Sequence, residues 1–107
     1  MNVELARQII ATYEKHTWSL RRVLVTGLTD DARQEVAEAF PQSEIAAAEI
    51  DALWFARASH GGREAWELRL VAEQPYALFE AFEADESEED REEVRREMEH
   101  KMREYAK

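Results

Sequence analysis

Cysteine is absent from this 107-residue chain, which excludes a disulfide framework, a thiolate metal site and a cysteine nucleophile. A reducing cytoplasm is the expected setting. Glycine occurs three times and proline twice. Gly27, Gly61 and Gly62 form no phosphate-cradling loop, and there is no G-x-S-x-G elbow, so neither nucleotide hydrolysis nor serine hydrolase chemistry is expected. Long apolar runs are missing as well. No segment approaches the roughly 20 apolar residues that span a bilayer, and Met1 to Arg7 includes Glu4 rather than the apolar core of a signal peptide. Positive charge is scarce, with 14 Lys and Arg against 24 Asp and Glu. The local basic clusters, Arg21-Arg22 and Arg95-Arg96, are thin for neutralising a phosphate backbone. Neither a nucleic acid nor a membrane is an expected partner.

Metal and acid/base motifs are sparse too. His16, His60 and His100 lie far apart, without H-x-x-x-H or H-E-x-x-H spacing. Asp85, Ser87 and Glu89 imitate the start of a calcium loop, but Asp90 stands where that loop needs glycine. Asp51 and Glu67 sit roughly where metal-dependent nucleases place an acidic pair. Arg69 occupies the lysine position of that pattern, and a guanidinium does not exchange its proton as lysine does, so no family assignment follows. No cofactor and no metal are expected.

What the chain does have is a hairpin. The runs LWFARAS and AWELRLV flank His60-Gly61-Gly62-Arg63. Gly-Gly suits the two central positions of a type I′ turn, both of which need positive φ. Pairing across a two-residue turn sets Arg57 opposite Trp66, Phe55 opposite Leu68 and Leu53 opposite Leu70. One hairpin face is then apolar, while Trp54 and Arg69 lie on a mixed face that a helix or a partner could cover.

The rest of the chain divides into short elements. Val3 to about His16 has helical spacing, Leu20 to Thr26 is strand-like, and Thr29, Asp30 or Asp31 caps a helix that stops at Pro41. Residues 43–51 stay undecided between helix, strand and loop. Tyr76 to Phe82 reads as a third meander strand, apolar on both sides and therefore central or doubly covered. A last helix runs from about Glu88 to Tyr105 with Val94, Met98, Met102 and Tyr105 as its apolar stripe. The expectation is a single α+β domain over residues 1–107, in the order α-β-α-β-β-β-α. Its sheet is a mainly antiparallel one of three to four strands containing a β-meander, packed by helices on at least one face.

The net charge of −10 is concentrated: residues 80–93 hold nine acidic side chains against Arg91 alone. An acidic start and basic finish suit the dipole of the last helix, and Glu92–Arg96, Glu97–Lys101 and Glu99–Arg103 are spaced as (i, i+4) pairs, so a solvated helix face is expected rather than an acidic docking site.

Two functional readings follow. The first is a small acidic cytoplasmic protein without catalytic activity, interacting or regulating through the hairpin and last helix. Trp54 and Arg69, or the Met98 and Met102 stripe, would be its contact surface. A protein partner or self-association as a two-fold homodimer fits this reading. The second is a small-molecule-binding or catalytic domain with a tryptophan-lined pocket near His60, given polarity by Arg57 and Glu67 beside Trp66.

Overall fold

The computed structural model describes all 107 residues. The elements are α1 (Val3–Lys15), β1 (Ser19–Val25), α2 (Asp30–Ala39), β2 (Glu44–Ala47), β3 (Ala52–Ala58), β4 (Glu64–Leu70), β5 (Ala77–Phe82) and α3 (Glu88–Ala106). Local chemistry fixes the helix starts. The side chains of Asn2, Thr29 and Ser87 accept from the backbone N–H groups of Leu5, Ala32 and Asp90, each satisfying a donor that the first turn leaves free.

The expected α+β class and β-meander hold, but the sheet has five strands in the order β2-β1-β3-β4-β5. The undecided segment supplies the extra one. Glu44–Ala47 lies parallel to β1, reached through α2, while every other pairing is antiparallel. Strand β5 is an edge, not the central strand expected from its two-sided apolar pattern. Ala77, Phe79 and Ala81 on one side of it are exposed.

The hairpin also differs from expectation. Gly61 and Gly62 both take positive φ, at 67° and 77°, and Arg63 N–H donates to His60 C=O at 3.2 Å, as the turn chemistry requires. However, Ser59 N–H donates to the Arg63 carbonyl at 2.9 Å, so Ser59 and His60 together oppose Arg63. That bulge shifts the register by one. Trp54 pairs with Leu68, Ala56 with Trp66 and Phe55 with Glu67. Because side chains alternate, one step moves every β4 residue to the other face of its expected partner.

The sheet is covered on both faces. On the front, α1 and α2 bury Ala6, Ile9, Trp18, Val23, Val25, Val36, Phe40, Leu53 and Phe55. On the back, α3 lays Met98 and Met102 over Ala52, Trp54, Trp66, Leu68 and Phe82. A second bulge, between Leu20 and Arg22 in β1, turns Arg22 to the back face beside Trp54. No helix is long and apolar enough to cross a membrane.

Candidate functional site

The sequence-predicted contact residues are mostly interior. Trp54 is fully buried. Its indole Nε1–H donates to Glu99 Oε2 at 2.8 Å, and its ring meets Trp66 edge-on at 5.9 Å. Met98 and Met102 are buried under α3. Helix α3 covers the hairpin face on which Trp54 would have been an exposed anchor, so these three residues pack against this chain's own sheet. Arg69 lies on the front face, half-buried, and its guanidinium donates to the Leu70 carbonyl. The pocket proposed around His60 comes together only in part: His60 and Arg57 share an open hollow of about 420 Å³ with Thr17, Ala58 and Ser59, without Trp66 or Glu67. Trp66 is on the back face, His60 is exposed at the turn, and Arg57 and Glu67 share the front face.

The acidic start of α3 does not simply face water. Glu92 reaches inward, accepting from both terminal nitrogens of Arg22 at 3.1 and 3.0 Å and from Arg95 Nε and Nη2 at 3.1 and 2.8 Å. Arg95 is only 1% exposed, stacks over Trp66 at 4.4 Å and also donates to Glu88. The Arg22 hydrogen bonds, opposed by burial and aided by Arg95, hold the Glu92 carboxyl down at about 2. For Arg22, burial works against the charge, and Glu92 outweighs it, raising the guanidinium further. The expected Glu92–Arg96 and Glu99–Arg103 pairs give way because Glu92 and Glu99 turn toward the sheet. This network clamps α3 to the sheet. Arg95 could have been found from its place in the sheet-facing row Arg95, Met98, Met102, spaced by three and four and wholly buried.

The other cluster of unusual side chains lies on the front face, where α1 meets β4. Tyr13 of α1 stacks on Phe55 at 4.0 Å, meets Trp18 edge-on at 6.2 Å and donates its hydroxyl proton to Glu67 Oε2. Burial first, then the Glu67 hydrogen bond and charge, push the Tyr13 phenol well above its ordinary value. It therefore keeps its proton and is no base at neutral pH. Hollows of about 240 and 250 Å³ flank Tyr13. The first is bounded by Leu5, Gln8, Ile9, Thr12 and Arg69, the second by Thr12, His16, Trp18 and Glu67.

Trp18 is placed by a strained corner. Helix α1 ends with Thr17 N–H donating to Glu14 C=O at 3.1 Å and Trp18 N–H to Tyr13 C=O at 3.2 Å, a Schellman closure that normally puts glycine at the left-handed position. Here Thr17 holds it, at φ 69°, although a β-branched residue is disfavoured there. The Arg57 guanidinium lies 4.5 Å from the Trp18 ring centroid and donates to the His16 carbonyl at 2.9 Å. On the other side, Phe79 of β5 meets Trp18 edge-on at 6.5 Å. It is 57% exposed, the most exposed large apolar side chain of the chain.

The result is an aromatic row, Phe55–Tyr13–Trp18–Phe79, that begins in the core and ends in solvent at an open sheet edge, with Arg57 and Arg69 beside it. No three His, Asp or Glu side chains converge as metal ligands. Comparison with known protein families, curated proteins and solved structures finds no match for this chain.

Proposed function

We propose that this chain is a small non-catalytic interaction protein of the cytoplasm, and that its contact surface is the front of β5 and the corner beside it: Phe79 and Arg57, both exposed and both resting on the buried Trp18 ring. The observation that carries the reading is Phe79, an aromatic ring 57% exposed on an edge strand whose neighbours Ala77 and Ala81 leave it unobstructed. Aromatic and Arg side chains grouped on one patch are the residue types that dominate interface energetics. The strained Thr17 backbone beside that patch supports it, since backbone strain collects where a site must be held in one shape.

The small-molecule reading has less support. Each hollow beside Tyr13 is smaller than the ~300 Å³ at the low end of ligand pockets, the wider one of about 420 Å³ at Arg57 and His60 is lined by no tryptophan and by Ala58 alone among apolar side chains, and the titratable group with a raised value on this face, Tyr13, is held protonated.

A photocrosslinking residue tests the surface directly. With p-benzoylphenylalanine replacing Phe79 in producing cells, covalent protein adducts are expected. The same residue at Arg96, exposed on α3, should give none. Absence of adducts from position 79, or equal labelling from both, overturns the proposal.

A further inference from the structure

We infer that the partner at this edge is a second copy of the chain, with β5 pairing antiparallel to its counterpart and Phe79 opposite Phe79 on a two-fold axis. The inference rests on the interaction reading above and goes further by naming the partner and the register.

The backbone shows which groups await a partner. Leu70 N–H donates to Tyr76 C=O at 2.9 Å, so the Tyr76 peptide groups point toward β4. In an antiparallel strand the N–H and C=O of one residue point the same way and the direction alternates along the chain. Tyr76, Leu78, Glu80 and Phe82 therefore face β4, in register with Leu70, Leu68, Trp66 and Glu64. The N–H and C=O groups of Ala77, Phe79 and Ala81 point outward along the open edge. Natural sheets blunt such an edge with Lys, Pro or a short strand. The far edge does so, with the four-residue β2. The six-residue β5 contains neither lysine nor proline.

Side chains select the occupant. The segment Ala77-Leu78-Phe79-Glu80-Ala81 is symmetric in size about Phe79 on its front face. With Phe79 on the axis, Ala77 meets Ala81 on the front and Leu78 meets Glu80 on the back, so no like charges stand opposed. The outward groups of all three edge residues then exchange hydrogen bonds in both directions. The aromatic row of one copy continues through Phe79 into that of the other. The neighbouring registers are worse. A shift by one residue sets front side chains against back ones. A shift by two in one direction puts Glu80 opposite Glu80. A shift by two in the other puts Pro75, which has no N–H, opposite Ala81.

Such a contact is small, below the ~1,200 Å² of standard interfaces, so dimerisation is expected in the micromolar range or weaker. Each copy carries a net charge of −10. Screening their repulsion should therefore tighten the pair as salt rises, the opposite of a complex between unlike charges.

The experiment is sedimentation equilibrium of the purified full chain from about 1 µM to 1 mM, at about 20 mM and about 500 mM salt, on either side of a 10 Å screening length. The expected result is a monomer–dimer equilibrium that tightens at least several-fold at high salt. Phe79→Glu and Ala81→Pro, the second removing one outward N–H while leaving the β4 ladder intact, should both be monomeric with unchanged circular dichroism. The cysteine-free background allows the register to be read. Ala77→Cys mixed with Ala81→Cys should form an intermolecular disulfide, because hydrogen-bonded partners stand about 5.5 Å apart. Neither variant alone should do so. A wild type that is monomeric at the highest concentration in both salts overturns the inference, as does a dimer unaffected by Phe79→Glu. If the purified chain is monomeric but position 79 still crosslinks in cells to proteins of other masses, the second-copy inference falls and the interaction reading stands.

Discussion

Replacing Glu92 by Gln should be among the most damaging conservative changes this chain can suffer. Glu92 holds two guanidiniums at once, and Arg95 is almost wholly removed from water. A glutamine of the same shape keeps one acceptor and loses the charge, leaving a buried cation with only Glu88 beside it. Removing one partner from a buried pair costs about 3–5 kcal/mol. An independent route gives a similar size. Lowering the carboxyl from 4.5 to about 2 corresponds to roughly 3 kcal/mol at about 1.4 kcal/mol per pH unit, and partial exposure trims it toward 2. Taken together, a loss of about 3 kcal/mol is expected near neutrality, or roughly 15 °C in Tm for a domain of this size.

The pH dependence makes the prediction sharper. A depressed folded-state value means that the stabilisation is complete above about 4.5 and disappears as pH falls toward 2. Urea unfolding followed by tryptophan fluorescence should therefore show a wide gap between wild type and Glu92→Gln at pH 6 that narrows steadily below pH 4.5. Trp66, lying under Arg95, makes that signal report on the site itself. A difference below about 1 kcal/mol at pH 6, or one that does not change with pH, would refute the argument that Glu92 is the counter-charge of a buried arginine.

Other substitutions have equally definite outcomes. Trp54→Ala removes a fully buried indole and should cost about 3–5 kcal/mol, seen as a collapsed urea midpoint; an oligomer that dissolves while the fold stays intact would contradict its interior place. Thr17→Gly should raise the thermal midpoint, with a gain of about 1 kcal/mol, by relieving the left-handed strain at φ 69°. Gly62→Ala should lower stability by about 1 kcal/mol or more, since φ is 77° and the new methyl would stand 3.2 Å from Ala84 Cβ. Alkaline absorbance titration should find one tyrosine ionising well above 10, and Tyr13→Phe should remove it. Because the folded value is raised, its contribution is complete below pH 10 and is lost as pH rises above it.

Much of the architecture was legible because it is written in local signals. The cap at Thr29, the stop at Pro41 and the Gly61-Gly62 turn all act within a few residues, and the elements they bound appear where expected. What was not legible depends on single-residue offsets or on long-range partners. The bulge opposite Arg63 is invisible in composition, yet it reassigned every cross-strand pair of the hairpin. The parallel strand Glu44–Ala47 forms because β1 offers it an edge, overriding the helical preference of Ala46-Ala47-Ala48. Phe79 misled for a related reason: its apolar pattern describes a strand buried on both sides, whereas the fold leaves its front open. Tyr13 and Glu67 stand 54 positions apart, and no spacing rule joins them.

The sheet has a consequence for how the molecule comes apart. It separates two apolar layers that share no side chains, and the layers are fastened by different means. The front is closed mainly by aliphatic and aromatic packing from α1 and α2, while on the back α3 adds to the packing of Met98 and Met102 an ionic tie from Glu92 to Arg22 of the sheet. Acid weakens that tie. As pH falls toward 2, α3 is expected to peel away first, its amides exchanging with solvent while β1 and β3 stay protected beneath α1. The fold would thus unbuild in two steps, with Trp54 and Trp66 reporting the first and Trp18 the second.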